Sequence, residues 1–271
     1  MISKELKKEI QENKKKLETH EYFSSKLKNL VYKNKTISKE DLNILLKMIK
    51  FDHNSLKESS FSPEINLPNK LEKIVFLGKS QKFAELIGIT LGDGNLSGGN
   101  YRITLHSNEI NYRKYIIKLF SNIFGIQLKI HFRKDANAIQ LFKTNKEITK
   151  ILLNAGIKQG NKVKNNVGIP DWISKNKKYM ESCLRGLVDT DGYLHIHKRD
   201  KQMYVGFKNH SVQLLDDFER LSLKLGYNFT RGEKHLILYK KNQVKKFVET
   251  IGLSNQKHID KYEKFYGAAR I

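Results

Sequence analysis

The sequence has only one cysteine, Cys183, and no long run of apolar residues. With a single cysteine the chain can form neither an internal disulfide nor a zinc site built from cysteines. No stretch approaches the roughly 20 apolar residues that a membrane-spanning helix needs, so we expect no membrane partner. The N-terminus carries charges but no apolar segment after them, which is not the pattern of a secretory signal. We therefore expect a protein of the cytoplasm and nucleoid, or of an organellar matrix, that is not secreted.

Acidic residues are also scarce beside basic ones. The 271 residues include 28 Asp and Glu against 51 Lys and Arg, which gives a formal net charge of +23 at pH 7. Such an excess favours a polyanionic partner, because the summed positive potential attracts phosphate backbones. A hydrophobic share of 39% is enough to bury a core, which excludes a disordered basic tail. The composition therefore favours a folded protein that binds nucleic acid.

The N-terminal part of the chain, residues 1–69, has the pattern of a small helical module. Ile2, Leu6 and Ile10 follow helical spacing, and Ser38 suits the N-cap of a second helix. The segment that follows contains two of the three prolines of the chain and breaks the pattern. The module could contact nucleic acid or could brace the rest of the chain, and the sequence leaves both interpretations open.

Nine residues of the chain recur farther along it. Residues 86–94 return as residues 184–192, at an offset of 98 residues. Each copy reads as an apolar helix that ends in an acidic residue followed by glycine, and each precedes the same order of elements. Both halves therefore read α-β-β-α-β-β-α. We predict an α+β fold with two related repeats, residues 70–168 and 169–271.

The motif helices carry small residues on one face. Gly88 and Gly92 are four residues apart in the first copy, as are Gly186 and Thr190 in the second. A glycine inside a helix costs about 1 kcal/mol relative to alanine, and close packing between helices compensates for that cost. We therefore predict that the two motif helices pack directly against each other.

That packing would bring together Asp93 and Asp191, the acidic residues that end the two motifs. Two neighbouring carboxylates raise each other's pKa unless a cation lies between them. Their oxygen ligands suit Mg²⁺. A pair of carboxylates with divalent ions in a basic surface suits phosphodiester hydrolysis, in which metals activate water and stabilise the leaving oxygen. We interpret these two residues as a candidate metal site and catalytic centre.

Other interpretations of the motif residues fail on local grounds. Residues 92–94 do not form a dinucleotide loop, because the helix precedes the glycines, the reverse of the order that cradles a phosphate. Residues 189–192 lack the third acidic position and the closing glutamate of a calcium loop. His195 and His197 alternate on a predicted strand and could bind a metal, but a polar strand face is the favoured interpretation.

The predicted strands alternate between apolar and polar residues. In the third strand of the first repeat, Leu128, Ile130 and Phe132 are expected to face the core. The outward faces are rich in donors and acceptors of the kind that reads base edges in a major groove, although any single strand would also suit a solvated face. The outward residues expected to contact nucleic acid are Arg102, Thr104, His106, Lys129, His131, Arg133, His195, His197, Gln202, Tyr204 and Lys208.

The two motifs resemble those of the LAGLIDADG homing endonucleases, in the single-chain form that carries both motifs. The resemblance covers residues 66–265 and rests on two nine-residue motifs, each followed by the same element order. It implies two pseudo-twofold-related halves whose antiparallel sheets form a saddle over DNA. It also implies an endonuclease that cuts both strands of a long, asymmetric DNA site and leaves short 3′ overhangs.

The resemblance assigns metal ligands by motif position. It implies that Asp93 and Asp191 are the catalytic, metal-binding carboxylates and that the backbone carbonyls of Gly92 and Thr190 are further ligands. The expected ion is Mg²⁺, for which Mn²⁺ could substitute. Since one chain carries both motifs, the expected nuclease is a monomer.

The resemblance also assigns residues outside the motifs. A basic residue after the last helix of each repeat is implied to be catalytic, and Lys162 and Lys257 occupy those places. A polar residue at the end of the second strand is implied to order solvent, and His106 and Lys208 occupy that position.

Two other functions on the same scaffold stay open. An intron RNA maturase and a DNA-binding regulator would both share the fold, although the retained carboxylates favour the nuclease. A basic ribosome-associated protein would explain the charge but not the repeated motifs. The chain lacks the flanking splicing blocks of an intein, so an intron-encoded or free-standing nuclease is expected, with double-stranded DNA as its partner.

Overall fold

The structure, a computed structural model, describes residues 74–133, 137–197, 199 and 201–267. The chain divides into two compact units, Met1–Glu72 and Lys73–Ile271. The expected N-terminal module, residues 1–69, lies outside the described residues. No helix in the described ranges has the length and the apolar character needed to cross a membrane.

The first repeat forms helices and strands in the predicted order. Its first helix begins after Ser80, whose hydroxyl accepts the N–H of Phe83, and its second ends at Gly125, which has a left-handed φ of 72°. The side chain of Asn145 caps the third helix. The elements are α1 (Gln81–Gly92), β1 (Gly94–Ser97), β2 (Asn100–His106), α2 (Ile110–Phe124), β3 (Lys129–Phe132), β4 (Ala138–Thr144) and α3 (Lys146–Asn154).

The second repeat has the same order and one additional helix. A short 3₁₀ helix, Asp171–Lys175, leads into it. The elements are α4 (Lys177–Asp191), β5 (Gly192–His197), β6 (Gln202–Lys208), α5 (Val212–Lys224), β7 (Thr230–Arg231), β8 (His235–Leu238), α6 (Lys241–Ile251) and α7 (Gln256–Tyr266). The repeat pattern does not predict α7. The α+β fold with two α-β-β-α-β-β-α halves is confirmed.

Each repeat contains one four-stranded antiparallel sheet. The strand order is β1-β2-β4-β3 in the first and β5-β6-β8-β7 in the second. On β2 the side chains of Tyr101, Ile103 and Leu105 are buried, and on β6 those of Met203 and Val205 are buried. These residues join apolar side chains from the helices in the core. The opposite sheet faces carry mainly polar and aromatic residues, together with Ile237 of β8.

Phe132 differs from its expected position in the core. Ile130 and Phe132 pair with the buried residues Leu141 and Ile139 and therefore lie on the core side of the sheet. Phe132 is nevertheless 62% exposed. It ends β3, an edge strand with a neighbour on one side only. The prediction that Phe132 is a core residue is therefore wrong, although its side of the strand was predicted correctly.

The helices α1 and α4 pack along their small residues, as predicted. A Cβ atom on Gly88 would collide with the carbonyl oxygen of Cys183, and one on Gly186 would collide with that of Glu85. Both obstacles are backbone atoms, which cannot turn aside as a flexible side chain can. Glycine at these two positions therefore permits the close approach that joins the two repeats.

Each repeat is also tied to the other at the start of its second helix. Glu109, the N-cap residue of α2, accepts hydrogen bonds at Oε1 from Asn255 Nδ2 (3.1 Å) and Lys257 Nζ (2.8 Å) in the second repeat. Ser211, the N-cap residue of α5, donates its hydroxyl to the carbonyl oxygen of Val167 (2.7 Å) in the first. The end of each repeat is thus held by the helix of the other.

Candidate active site at the junction of the two repeats

Asp93 and Asp191 lie at the C-terminal ends of the two packed helices. Asp93 is the C-cap residue of α1, and Asp191 is the last residue of α4. A Cβ atom on Gly92 would lie 3.5 Å from Oδ2 of Asp191 and would collide with the hydroxyl of Thr190. The absence of a side chain at position 92 therefore lets the end of α4 approach the end of α1, and the two predicted carboxylates lie at one junction.

Burial raises the pKa of both carboxyl groups. The pKa of Asp93 rises to about 7, with burial as the largest cause and the charge of Asp191 as the second, while Lys162 lowers it. Burial also raises the pKa of Asp191, against the charge of Lys162 and a hydrogen bond from Asn209. Two like charges that are both half-buried are unfavourable together, so this arrangement favours a bound cation.

Lys162 contacts the end of α1. Its Nζ donates a 2.9 Å hydrogen bond to the carbonyl oxygen of Leu91 and a second bond to that of Gly92. Burial lowers the pKa of Lys162, and the charges of Asp191 and Asp93 raise it. Lys162 therefore supplies positive charge beside the carboxylates. It also donates a hydrogen bond to the carbonyl of Gly92, which is one of the two carbonyl groups expected to be metal ligands.

Lys257 has a different environment from Lys162. It lies in the first turn of α7, and its ammonium group forms an ion pair with Glu109. The other carboxylate oxygen of Glu109 accepts the N–H of His106 at 3.1 Å. The charge of Lys257 lowers the pKa of Asp93, and that of Glu109 raises it. Sequence reasoning missed Glu109, because a single acidic residue before a helix gives no signal of a partner 148 positions away.

Asn209 is a second residue that sequence reasoning missed. Its Nδ2 donates a 2.7 Å hydrogen bond to Oδ2 of Asp191. It lies one position after Lys208, the residue expected to order solvent near the carboxylate. Gly192 pairs with Phe207, close to the end of β6, and this register places Asn209 beside the start of β5. Knowledge of the strand register would have identified this contact.

The register differs in the first repeat. Gly94, the first residue of β1, pairs with Ile103, and β2 continues for three more residues, to His106. Gly192, the first residue of β5, pairs with Phe207, and β6 continues for only one more residue, to Lys208. By register, the position two residues beyond the pair in the first repeat is Leu105, whose side chain is buried, whereas the residue that directly follows the strand, as Asn209 follows β6, is Ser107. The two carboxylates therefore have different neighbours.

A buried carboxylate fixes the segment before α7. Asp189, which is fully buried, accepts the backbone N–H groups of Ser254 (2.8 Å) and Asn255 (3.1 Å). Burial raises the pKa of Asp189 to about 7, and these two hydrogen bonds oppose the rise. The first motif has Leu91 at the corresponding position. Asp189 thus positions the segment that leads to Lys257 in the second repeat alone.

An ion pair crosses the interface between the motif helices. Arg185 of α4 contacts the buried carboxylate of Glu85 of α1 at 2.5 Å. Glu85 also accepts the hydroxyl groups of Tyr115 (2.5 Å) and Ser254 (3.0 Å). Removal of one member of such a buried pair leaves the other charge without compensation. These contacts therefore reinforce the pairing of the two repeats.

The residues expected to contact nucleic acid lie along the strands of both sheets. In the first sheet, Arg102, Thr104 and His106 on β2 are exposed and alternate with buried residues. The other expected residues of that sheet are Lys129, His131 and Arg133, which are exposed. Those of the second sheet are His195 and Lys208, which are exposed, and His197, Gln202 and Tyr204, which are half-buried.

The donor atoms at the junction fit a divalent cation of the Mg²⁺ type. Within the described ranges, no group of three or more His, Cys, Asp and Glu residues could hold a metal ion. A cation would therefore depend on the carboxylates of Asp93 and Asp191 and on neighbouring backbone carbonyls such as those of Gly92 and Thr190. Mg²⁺ commonly takes one or two carboxylates and completes its shell with water and substrate phosphate. The two half-buried carboxylates with raised pKa values match that preference.

A comparison with protein families supports the resemblance. Residues 178–252 match the family model described as a LAGLIDADG-like domain. The matched segment includes the second motif and the sheet that follows it, and the resemblance to LAGLIDADG proteins is confirmed. No curated protein matches the chain.

Three solved structures illustrate what the fold is similar to. Mesophilic variants of the homing endonuclease I-DmoI share 19% identity, with a TM-score of 0.43, over 63% of this chain and 94% of that one. I-DmoI in complex with DNA and Mn shares 20% identity, with a TM-score of 0.45, over 63% and 96%. The N-terminal LAGLIDADG domain of DUF199/WhiA shares 15% identity, with a TM-score of 0.49, over 69% and 88%. All three similarities are distant.

Proposed function

We propose that this chain is a site-specific endonuclease that cuts both strands of double-stranded DNA with the help of divalent metal ions. The observation that carries the proposal is the pair of half-buried carboxylates, Asp93 and Asp191, one from each repeat, at the meeting ends of α1 and α4. Because one chain supplies both carboxylates, it acts as a monomer. A structural role alone gives no reason to place two like charges, both withdrawn from solvent in part, at the same junction.

Each residue of the junction has a role in the proposed reaction. Four groups would hold Mg²⁺, or Mn²⁺ in its place: the carboxylates of Asp93 and Asp191 and the carbonyls of Gly92 and Thr190. Bound metal supplies an activated water molecule and stabilises the leaving oxygen. Lys162 neutralises negative charge beside the carboxylates. Lys257 adds a second cation near Asp93, whose pKa it lowers.

The outer sheet faces bind the substrate. The net charge of +23 attracts the phosphate backbone, and contacts to phosphates fix the position of the protein on the duplex. Outward residues of β2, β3, β5 and β6 read base edges. Because the two sheets carry different side chains, the target is a long, asymmetric site. Cleavage of both strands leaves short 3′ overhangs, as the resemblance implies.

Cleavage of a randomised duplex library with Mg²⁺ tests the proposal directly. The purified chain and Asp93→Asn are incubated with the library, and the resulting ends are sequenced. We expect discrete 3′-overhang ends at one asymmetric site with the parent chain and none with the variant. Equal products from both proteins would exclude Asp93 as a catalytic residue. Salt-sensitive binding to DNA or intron RNA without any cleavage would instead support a DNA-binding regulator or a maturase.

A further inference from the structure

The outer face of the second sheet carries a cluster of aromatic rings. His195 on β5 pairs with Tyr204 on β6, and the ring of His197 is stacked on that of Tyr204 with centroids 5.6 Å apart. Tyr239, directly after β8, meets Tyr204 edge-on at 6.4 Å and is 45% exposed. The rings of His195 and Tyr239 are exposed and those of His197 and Tyr204 are half-buried. Such a cluster on one sheet face indicates a binding surface more strongly than single exposed apolar residues do.

The cluster extends to the catalytic junction through Tyr193. This residue lies two positions after Asp191 and pairs with Gly206. A Cβ atom on Gly206 would overlap the ring of Tyr193, so the ring lies on the backbone of β6. We name the five residues Tyr193, His195, His197, Tyr204 and Tyr239 the aromatic face.

Cations are few on the strands of this sheet. The four strands, all of them described, contain two, Lys208 and Arg231. Arg231 is held by ion pairs with Asp216 (2.8 Å) and Glu219 (3.1 Å) of α5. Other cations of this half, such as Lys201, Lys240 and Lys241, lie beside the strands, so the strands themselves present few cations to guanines.

The outer face of the first sheet has a different chemistry. Arg102 on β2 and Lys129 on β3 both pair with Phe142 of β4, from opposite sides. The next outward row places Thr104 beside Gln140. Arginine and lysine side chains donate hydrogen bonds to the O6 and N7 atoms of guanine in the major groove. This face is therefore suited to hydrogen bonding and to positive charge.

We infer that the two sheets recognise different base chemistry, an inference that rests on the proposed binding of double-stranded DNA. The aromatic face packs against the C5-methyl groups of thymines in one half of the site, and the first sheet hydrogen-bonds to guanines in the other. In a duplex the base faces are stacked, so rings reach only base edges, where the thymine methyl is the apolar group in the major groove.

Stacking on unpaired bases is the rival use of such a surface, as in sheets that bind single-stranded RNA. The geometry of the rings argues against it. The ring of Tyr204 is stacked on that of His197 and makes a T-shaped contact with that of Tyr239, and the ring of Tyr193 lies on Gly206. Rings packed in this way offer less free surface for intercalated bases, whereas contact with a methyl group needs only an exposed edge.

Replacement of thymine by deoxyuracil, which removes only the methyl group, tests the inference. Duplexes that bind the full chain are selected from a randomised library without metal, and thymines are then replaced in one half at a time. We expect replacement in one half alone to weaken binding, roughly fourfold for each methyl group buried. Tyr204→Ala should lose this sensitivity, and Tyr239→Ala, which removes an exposed ring, should reduce it.

Arg102→Ala is the matched control from the first sheet. It should keep the sensitivity to deoxyuracil and lose a preference for guanine in the opposite half. Unchanged sensitivity in both tyrosine variants, or no sensitivity in the parent chain, would overturn the inference and leave DNA binding intact. Tighter binding of a single-stranded oligonucleotide that Tyr239→Ala abolishes would also overturn it. If no duplex is selected at all, the proposed function fails together with the inference.

Discussion

The side-chain amide of Asn209 donates a 2.7 Å hydrogen bond to the carboxylate of Asp191. This bond lowers the pKa of Asp191 against the effect of burial. At the same register in the first repeat lies Leu105, whose buried side chain offers no hydrogen-bond donor. The two halves of the junction therefore differ in the support that they give to their carboxylates.

Asn209→Ala should slow cleavage of one DNA strand more than that of the other. Loss of a hydrogen bond that orients a metal ligand costs roughly tenfold to hundredfold in activity or metal affinity. On a supercoiled plasmid that carries the selected target, the nicked form should accumulate. The control is Asn154→Ala, an exposed asparagine at the end of α3. Equal slowing of both strands would contradict an effect confined to Asp191.

Asp93→Asn should stabilise the metal-free protein at pH 8, because it removes one of two neighbouring, half-buried like charges. We expect a gain on the order of 2 kcal/mol, or roughly 4–8 °C in Tm. Thermal melting in the presence of a chelator measures it, with the exposed Asp260→Asn as the control. A lower Tm in Asp93→Asn would show that the carboxylate has a stabilising partner in the folded chain.

The same comparison should depend on pH. The folded pKa of Asp93, about 7, lies above the ordinary value of 3.8, so the folded state binds more protons than the unfolded state between these limits. Asp93 therefore costs stability as pH rises from about 4 to about 7. The Tm difference between Asp93→Asn and the parent chain should be small near pH 4, grow up to pH 7 and then level off. A difference that stays constant across this range would contradict the raised pKa.

Binding of Mg²⁺ should release protons below pH 7, since the ligand must be deprotonated. The apparent affinity should rise with pH up to about 7, the pKa of Asp93, and change little above it. Calorimetry in two buffers of different ionisation enthalpy measures the number of protons released. Binding without proton release at pH 6 would indicate that the ion is held elsewhere.

Gly88→Val should destabilise the whole described unit, because its side chain would meet the backbone of α4. We expect a loss of about 3 kcal/mol. Gly226→Ala provides the comparison: the added Cβ meets nothing within 4 Å, and its cost arises from a left-handed φ of 85°, about 1–2 kcal/mol. Chemical denaturation measures both. Equal losses would mean that α1 and α4 separate without difficulty.

The motif predicted the centre of this fold well. Glycines four residues apart in two apolar helices can be explained by close packing, and the acidic residue that follows each helix must then lie at the junction. The positions of Asp93 and Asp191 could therefore be derived from local spacing alone.

Contacts between distant segments could not be predicted in the same way. The pairing of Glu109 with Lys257 depends on how the end of one repeat meets the other, and no local pattern encodes it. The contact of Asn209 depends on a strand register that differs between repeats. The exposure of Phe132 depends on its place at the end of an edge strand. Alternation along a strand gives the side of a sheet but not the extent of burial.

Glu109 and Ser211 each bond to the end of the opposite repeat, so side chains join the two repeats in addition to the peptide chain. The peptide link between the repeats contributes little to holding them together, because side chains of each half already bond to the other half. If the chain were divided in the exposed stretch at residues 163–166, each fragment would carry a glycine-lined helix without its partner, and the first would also lack the contacts of Asn255 and Lys257 with Glu109. We expect two such fragments to associate through these surfaces when both are present.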